Sequence, residues 1–474
     1  MTNPNDLDAA LALSRFGLGA REGSIASIAQ NPRGALKDEV TGRVLLTPAG
    51  RELRLTSDLL VDLYAFLKDL NIQRSRQAAS GTGTPAAQPP AMNPGSTEQK
   101  PSSPNLPQRV FLAEVDARFN GTIREPVIGI VERLAIFGPN HFAVAVGKGP
   151  VVRILAGAYE REAIRPHVFG LFEDMLLAVE THPAMLFFLD NRQSVGPDSK
   201  ASGHGKRGLN ENLAREIMEL HTLGVDGGYM QRDVTSLSRI ITGWTVVGAE
   251  GRLGTPGTFA FNHAAHEPGS QTLLGISYPD DGVGQGRAAL RDLAHHPATA
   301  RHIALKLARH FVADAPPPDL VASLAATYTK TRGDLSAVYL TLIGSEAAWN
   351  PTLVKIRSPL EYFVALLRAS GERPKPNAVM AALNAMGQPL WNPSGPNGFP
   401  DTVDAWASSE GLGTRIDVAS LVANQTPGRT DPRRFATETL GSLLSPDTQH
   451  AISRAETKAQ AVSIAFLSPE FQRR

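Results

Sequence analysis

The sequence contains no cysteine in its 474 residues. Disulfide bonds, thiolate metal sites, iron–sulfur clusters and cysteine nucleophiles are therefore excluded. Aromatic residues are also scarce, at 6% of the chain, whereas hydrophobic residues as a whole make up 42%. We therefore expect a sizeable core built mainly from Leu, Ile, Val, Ala and Met.

The chain also lacks an excess of either charge and lacks any long apolar run. Lys and Arg number 47 against 46 acidic residues, for a formal net charge of +1, which argues against broad nucleic-acid binding because that needs a basic surface. No stretch approaches the roughly 20 apolar residues that span a bilayer. Asp6 and Asp8 stand where a signal peptide carries Lys or Arg. We therefore expect a soluble, cytoplasmic protein without a membrane span.

Composition and helical periodicity divide the chain into three parts. Residues 1–77 are predicted to form helices that pack on the main body, because Leu59 and Leu63 need an apolar partner. Residues 78–107 are rich in Ala, Ser, Gly, Thr and Pro without any aromatic residue, which predicts a flexible linker. Residues 108–474 are predicted to form the main helical domain.

One β-rich segment interrupts the helical pattern. Residues 258–262 and 271–274 flank a turn that contains His266-Glu267-Pro268-Gly269, and this predicts a small β-hairpin near 258–275. The predicted fold is mainly α, a multi-helix array with orthogonal and bundle-like packing and this hairpin as an insertion.

The densest polar signature begins at Asn210. This residue is a predicted N-cap and Gly224 a predicted C-terminal stop, so a helix is expected over 211–223. At about 100° per residue, one flank of that helix carries Asn212, Glu216 and Glu219, and the other carries His221. Because Glu216 and His221 are about 140° apart, this helix alone is not expected to hold a metal ion.

The stretch from Leu209 to Tyr229, continued to Trp244, resembles the bacterial family catalogued as domain of unknown function eighteen hundred. The resemblance covers nearly the whole chain apart from the predicted linker. Further marks of it are Arg15-Phe16-Gly17, Asn140-His141-Phe142-Ala143-Val144, Ile164-Arg165-Pro166-His167, His182-Pro183-Ala184-Met185-Leu186, Leu189-Asp190-Asn191, His296-Pro297-Ala298-Thr299-Ala300 and Ser468-Pro469-Glu470-Phe471.

The resemblance implies little about chemistry, because members of that family have no settled biochemical role. They often lie beside a second uncharacterised family with sulfatase-like features, which implies a protein partner of that kind. Many relatives carry export signals. This sequence has Gly138-Pro139 before Asn140-His141, where relatives tend to have Trp or His, so a site that used those side chains is altered here.

Four polar residues are candidates for a catalytic site. Glu216 borders the apolar face of its helix, and a buried carboxylate needs either a cation in an ion pair or a role as ligand or general base. His221 and His141 fit either a hydrogen-bonded core position or a ligand role. Asn212 shares the flank of Glu216. Pro139, just before His141, frees a backbone carbonyl, as happens where a helix opens towards a site.

Histidines elsewhere suggest a metal site. His263 and His266 form a His-x-x-His pair on the predicted turn and, with His141, are the candidates for ligands to a divalent metal. Two imidazoles alone do not make a site and need a third ligand. His302 and His310, on an amphipathic helix, are predicted to be structural.

These residues support three alternative functions. The leading hypothesis is a helical enzyme for metal-assisted hydrolysis or oxidation, with a divalent metal as its cofactor and the turn around His266 covering its pocket. That pocket would be lined by His141, Asn212, Glu216 and His221. The second hypothesis is a non-catalytic binding or assembly partner of an enzyme produced alongside it. The third is an anion or carbohydrate binder that uses Lys206 and Arg207 in a basic, glycine-rich loop.

Overall fold

The computed structural model describes residues 4–42, 48, 53–79, 105–124, 127–203, 208–426 and 431–474. Most of the predicted linker 78–107 lies outside these ranges, and the helices on either side of it run to Ala79 and from Leu106. The described residues form 23 α-helices and two small antiparallel sheets, which confirms the mainly α prediction. In the same residues no helix is both long and apolar enough to cross a membrane.

α-Helices of 5 to 24 residues make up the first half of the chain. Three helical segments there end in π-helical turns, at Ala12–Phe16, Glu160–Ile164 and Ile217–His221. The α-helices are α1 (Pro4–Leu11), α2 (Ser24–Ile28), α3 (Pro32–Thr41), α4 (Thr56–Ala79), α5 (Leu106–Arg124), α6 (Ile130–His141), α7 (Pro150–Tyr159), α8 (Phe172–Glu180), α9 (Pro183–Phe188), α10 (Asn212–Glu216) and α11 (Gln231–Ile240).

Proline starts many helices of the second half, because at the first helical position its missing N–H would be unpaired anyway and its fixed φ suits the helix. Side-chain caps support these starts, as Ser358 does before Pro359. The helices are α12 (Val283–His295), α13 (Pro297–Phe311), α14 (Pro318–Lys330), α15 (Leu335–Gly344), α16 (Pro359–Ser370), α17 (Pro376–Ala385), α18 (Val403–Trp406), α19 (Ser409–Gln425), α20 (Pro432–Leu440), α21 (Pro446–Ser453), α22 (Lys458–Leu467) and α23 (Pro469–Gln472).

The β-structure pairs differently from the hairpin that the sequence suggests. Strand β1 (Trp244–Val246) pairs with β2 (Phe259–Phe261), and β3 (Gln271–Leu273) pairs with β4 (Ile276–Tyr278), both antiparallel. The segments 258–262 and 271–274 therefore belong to two separate sheets. The strands at Trp244 and Ile276 were not predicted, although they are as long as the other two, at three residues each.

Two hydrophobic cores meet along α6 and α7. Leu134 and Leu155 belong to the first core, together with Leu59 and Leu63 from α4. Their neighbours on the same two helices, among them Ile136 and Ala156, belong to the second core with α16 and α22. The candidate site lies beside α6, at this boundary.

Candidate functional site

The predicted helix 211–223 is divided in two. Its α-helical part is α10, and a π-helical turn follows at Ile217–His221. A π-turn replaces i→i+4 hydrogen bonds by i→i+5 ones, so the angular spacing of an α-helix does not apply across it. Thr222 Oγ1 donates to the carbonyl of Ile217 at 2.6 Å. Asn210, the predicted cap, accepts the N–H of Asn212 at 2.9 Å, but the observed N-cap position is the next residue, Glu211.

The π-turn brings His221 next to His141 and His302. The ring centroid of His141 lies 6.2 Å from that of His221 and 6.1 Å from that of His302. His141 Nε2 donates to the carbonyl of His221 at 3.2 Å, and His302 Nε2 donates to the carbonyl of Leu220 at 3.1 Å. Burial lowers the pKa of His141 well below its ordinary value and that of His302 to about 4, and Lys306 lowers both further. Both imidazoles are therefore neutral donors at neutral pH.

His221 has its own carboxylate partner, Glu180 at the end of α8. Its Nδ1 lies 2.7 Å from Glu180 Oε1, and both residues are fully buried. Among the described residues, His221 Nε2 and Glu180 Oε2 have no hydrogen-bond partner. The pair is a buried imidazole–carboxylate contact that the sequence did not indicate.

Two of the four catalytic candidates, His141 and His221, lie next to each other. The other two, Glu216 and Asn212, are less buried. Glu216 is half-buried, and burial raises its pKa although His221 opposes the rise. It makes no ion pair within the described part of the chain, so the predicted partner from a neighbouring helix is not seen. Asn212 is exposed.

The predicted metal ligands do not converge. His263 is exposed and its ring packs edge-on against Phe261, with centroids 4.6 Å apart. His266 is buried; its Nδ1 donates to the carbonyl of Thr242 at 3.0 Å and its Nε2 lies 3.6 Å from Asp280 Oδ1. Across the described ranges, no group of three or more His, Asp or Glu side chains is arranged to hold a metal ion. The metal site proposed for His141, His263 and His266 is therefore unsupported.

The predicted anion site, Lys206 and Arg207, lies outside the described residues.

Helix α13 carries a polar stripe. His302, Lys306 and His310 are spaced four residues apart and therefore share one face. His302 contacts His141 at one end of the stripe, and His310 lies at the other end. Half-buried Lys306 is between them, and burial lowers its pKa to about 8 although Asp401 opposes this.

His310 and Asp401 form a second imidazole–carboxylate pair. Nδ1 of His310 donates to Asp401 Oδ2 at 2.7 Å. The other nitrogen, Nε2, lies 4.0 Å from Glu361 Oε1 and has no hydrogen-bond partner among the described residues. Burial lowers the pKa of His310, although Asp401 opposes this effect. Burial alone would raise the pKa of Asp401, but His310, Arg474 and Lys355 hold it well below its ordinary value.

Cations surround the acids of this pair. Lys355 Nζ lies 3.0 Å from Asp401 Oδ1 and 2.7 Å from Asp314 Oδ1. Arg474 Nη2 lies 3.1 Å from Glu361 Oε1, and Arg133 also contacts Glu361. Burial would raise the pKa of Glu361, but the two guanidinium groups outweigh it and hold that pKa at about 2. Both acids are therefore ionised at neutral pH and favour a positive charge on His310.

A cavity of about 60 Å³ adjoins the His310–Asp401 pair. A single water needs roughly 10–15 Å³, so the cavity has room for more than one. Two open surface clefts are larger, about 430 and 390 Å³, but neither is lined by a buried histidine. The walls of the 60 Å³ cavity are Arg118, Ile136, Phe137, Pro139, Asn140, Val144, His310, Ser358, Leu360, Glu361, Gln388, Pro389, Leu390, Trp391, Pro393, Phe399, Pro400 and Asp401.

Polar groups of the wall point to hydrogen bonding with a ligand. Gln388 Oε1 accepts the N–H of Leu360 at 2.8 Å, and within the described ranges its Nε2 amide has no partner. Arg118 is buried, and its Nη2 donates to the carbonyl of Ala135 at 3.2 Å. That carbonyl is free because Pro139, four residues later, has no N–H to donate. The carbonyl that Pro139 leaves free thus holds the Arg118 guanidinium at the cavity wall.

Sequence reasoning placed His310 among structural residues and did not single out Asp401. The spacing of His302, Lys306 and His310 was a usable signal, because three cationic or polar side chains on one face of an otherwise apolar helix need partners. Asp401 ends a Pro- and Gly-rich loop that begins at Trp391, and such loops often carry functional residues. Their pairing spans 91 positions of sequence and could not be read from it.

A family model described as "Protein of unknown function (DUF1800)" matches residues 11–473. The chain belongs to this family. The resemblance seen in the stretch from Leu209 to Trp244 is thereby confirmed over nearly the full length. No curated protein and no solved structure matches the chain.

Two residues from the segments that resemble DUF1800, Gly17 and Asn191, contact distant parts of the chain. A Cβ atom at Gly17 would lie 2.1 Å from the carbonyl oxygen of Ile128, so only glycine fits, and the Gly17 carbonyl accepts Arg133 Nε at 2.8 Å. The Asn191 amide donates to the carbonyls of Ile241 and Trp244 at 3.3 and 3.2 Å. These DUF1800 residues hold distant segments together and lie outside the cavity lining.

Proposed function

We propose that this DUF1800 protein is a hydrolase that acts on a carbonyl compound, with His310 as its general acid–base. The observation that carries the proposal is the His310–Asp401 pair on the cavity wall. One imidazole nitrogen is held by a carboxylate, and the other has no partner among the described residues. An imidazole oriented in this way is a common general base.

The residues of the cavity wall have separate roles in the proposed reaction. Nε2 of His310 takes a proton from a water molecule as the water oxygen bonds to the substrate carbonyl carbon. The Nε2 amide of Gln388 donates a hydrogen bond to the carbonyl oxygen, where negative charge develops. The imidazolium then gives the proton to the leaving group as its bond to carbon breaks. Asp401 and Glu361 stabilise the imidazolium because both stay ionised.

The test is a set of 4-nitrophenyl esters and 4-nitroanilides, assayed with the wild-type protein, His310→Gln and Asp401→Asn. We expect hydrolysis of at least one class, lost in both variants. His450→Gln, at an exposed position, is the matched control and should keep wild-type activity. Hydrolysis that is equal in His310→Gln and wild type, or absent from all of the substrates, would contradict the proposal.

The pH profile supplies a second readout. A general base must be neutral, so kcat/KM should fall as pH decreases through the pKa of His310. Because burial lowers that pKa from the ordinary value of 6.5, the acid limb should lie below pH 6.5. An acid limb above that value would contradict the assignment.

The second candidate function is a non-catalytic partner of another protein, such as the sulfatase-like neighbour. The observation that favours it is the turn after the π-helical segment, where Val225 and Met230 are 67% and 55% exposed. Exposed apolar side chains of this kind occur at protein interfaces. Co-purification with the neighbouring protein, abolished by Val225→Asp and Met230→Asp together, would support this alternative.

A further inference from the structure

Phe137 on α6 divides two cavities. Its ring lines the cavity beside His310 and also lines a second one of about 20 Å³ on its other side. All of the accessible lining of this inner cavity is apolar. Residues around it include Phe172, Met175 and Tyr339, from α8 and α15.

The ring lies between two imidazoles. Phe137 stacks parallel to His141, with centroids 6.0 Å apart, and packs at a tilt against His310 at 5.3 Å. The side chain is half-buried. Gly138, which follows it, also lines the inner cavity, and a Cβ atom there would lie 2.5 Å from Ile164 Cγ2. Removing the ring would therefore connect the two cavities.

The remaining walls of the outer cavity are mostly apolar. Ile136, Leu360, Leu390 and Trp391 are buried members of the second core. A ligand whose polar bond lies at His310 must place its substituent against these surfaces. Burial of apolar surface stabilises by about 0.8 kcal/mol for each methylene, or about fourfold in affinity.

We propose that Phe137 is a specificity-determining residue for substrates that carry a compact apolar group, aromatic or short aliphatic, beside the hydrolysed bond. This rests on the proposed function of His310. The Phe137 ring ends the space that the apolar group occupies, and the inner cavity behind it remains closed to the substrate.

Binding of the primary alcohols from 1-propanol to 1-octanol tests the proposal without any turnover. The change in tryptophan fluorescence reports binding at this cavity if it is absent from Trp391→Phe. In the wild-type protein, we expect Kd to fall about fourfold for each added methylene up to a limiting chain length and then to stay constant. In Phe137→Ala the fall should continue to longer alcohols, and Phe137→Leu, a milder change, should lie between them.

Met175→Ala is the matched control, because it enlarges the inner cavity and leaves the dividing ring in place. It should keep the limiting chain length of the wild type. The proposal is overturned if Phe137→Ala and Phe137→Leu keep that same limit, or if Met175→Ala extends it as far as Phe137→Ala does.

The outcomes separate this inference from the proposed function. If substitution of Phe137 changes the limiting chain length but hydrolysis does not depend on His310, the apolar subsite is supported and the hydrolase assignment is rejected. Hydrolysis that depends on His310, with a limit that does not move, rejects only the role of Phe137.

Discussion

Two imidazole–carboxylate pairs among the described residues have the same short contact distance and different surroundings. His221 and Glu180 meet at 2.7 Å, as do His310 and Asp401. The first pair is fully buried, whereas the Asp401 side chain is 29% exposed and adjoins a cavity. The contact alone therefore does not identify a functional site. A pair that a substrate can reach can be catalytic, whereas a fully buried pair stabilises the core.

Their electrostatic surroundings also differ. Around His310, Lys355, Arg474 and Glu361 lie close enough to balance a change in its charge. The rings beside His221 are those of Phe142, with centroids 5.1 Å apart, and of His141, at 6.2 Å, and burial lowers the pKa of His141 well below its ordinary value. His310 therefore lies among charged side chains, whereas the rings beside His221 are those of Phe142 and His141.

The largest effect that separates the pairs should be catalytic. His310→Gln removes the base and should lower kcat/KM for the responsive ester by about 10²–10⁴-fold. His221→Gln should leave the rate within a few-fold of wild type once folded protein is compared. Steady-state kinetics on both variants measures this difference, and equal losses would erase the distinction between the pairs.

The second effect should be on stability. Here the larger loss is expected for the His221–Glu180 pair. Glu180→Ala leaves His221 buried without its carboxylate and should lower the free energy of unfolding by about 3–5 kcal/mol. Asp401→Ala should cost less, because Asp401 is partly exposed. Urea unfolding followed by circular dichroism measures both, and a larger loss for Asp401→Ala would reverse the comparison.

The third effect concerns the hydrogen-bond donor in the cavity. Gln388→Ala should reduce kcat by about 10²–10³-fold, the usual cost of one donor to a developing oxyanion. Glu438→Gln, at the protein surface, serves as a control for handling and folding. A change in KM with kcat intact would show that Gln388 only binds the ground state.

The fourth effect is the loss of folding stability at acidic pH that comes from Glu361, beside His310. Glu361 has a folded pKa of about 2 against an ordinary value of 4.5. Its contribution to stability, about 3 kcal/mol, is present above pH 4.5 and is lost as pH falls towards 2. Glu361→Gln should flatten the dependence of the unfolding free energy on pH in this window, and an unchanged slope would contradict the assignment.

Some of this site was accessible from the sequence because it rests on local rules. The glycine stop at Gly224 has a left-handed φ of 85°, as a C-terminal stop requires. The break at Pro139 predicted a freed carbonyl, and the carbonyl of Ala135 accepts a hydrogen bond from Arg118. The mainly α architecture followed from apolar periodicity.

The rest depended on contacts between distant segments. Glu180 approaches His221 across 41 positions, and Asp401 approaches His310 across 91. The π-turn at Ile217–His221 also changed which face His221 occupies, and no residue pattern announces such a turn. The sequence pattern therefore indicated Glu216 and Asn212, which lie on the same helix as the signature, rather than His310.

Site-resolved reaction with diethyl pyrocarbonate tests the central claim most directly, because this reagent acylates neutral, accessible imidazole nitrogen. Mass spectrometry would follow the acylation of His310 and His221, and the loss of ester hydrolysis would be recorded in the same samples. We expect His310 to react faster than His221, with a rate constant equal to that of inactivation. Inactivation that proceeds while His310 remains unmodified, or faster modification of His221, would contradict the account.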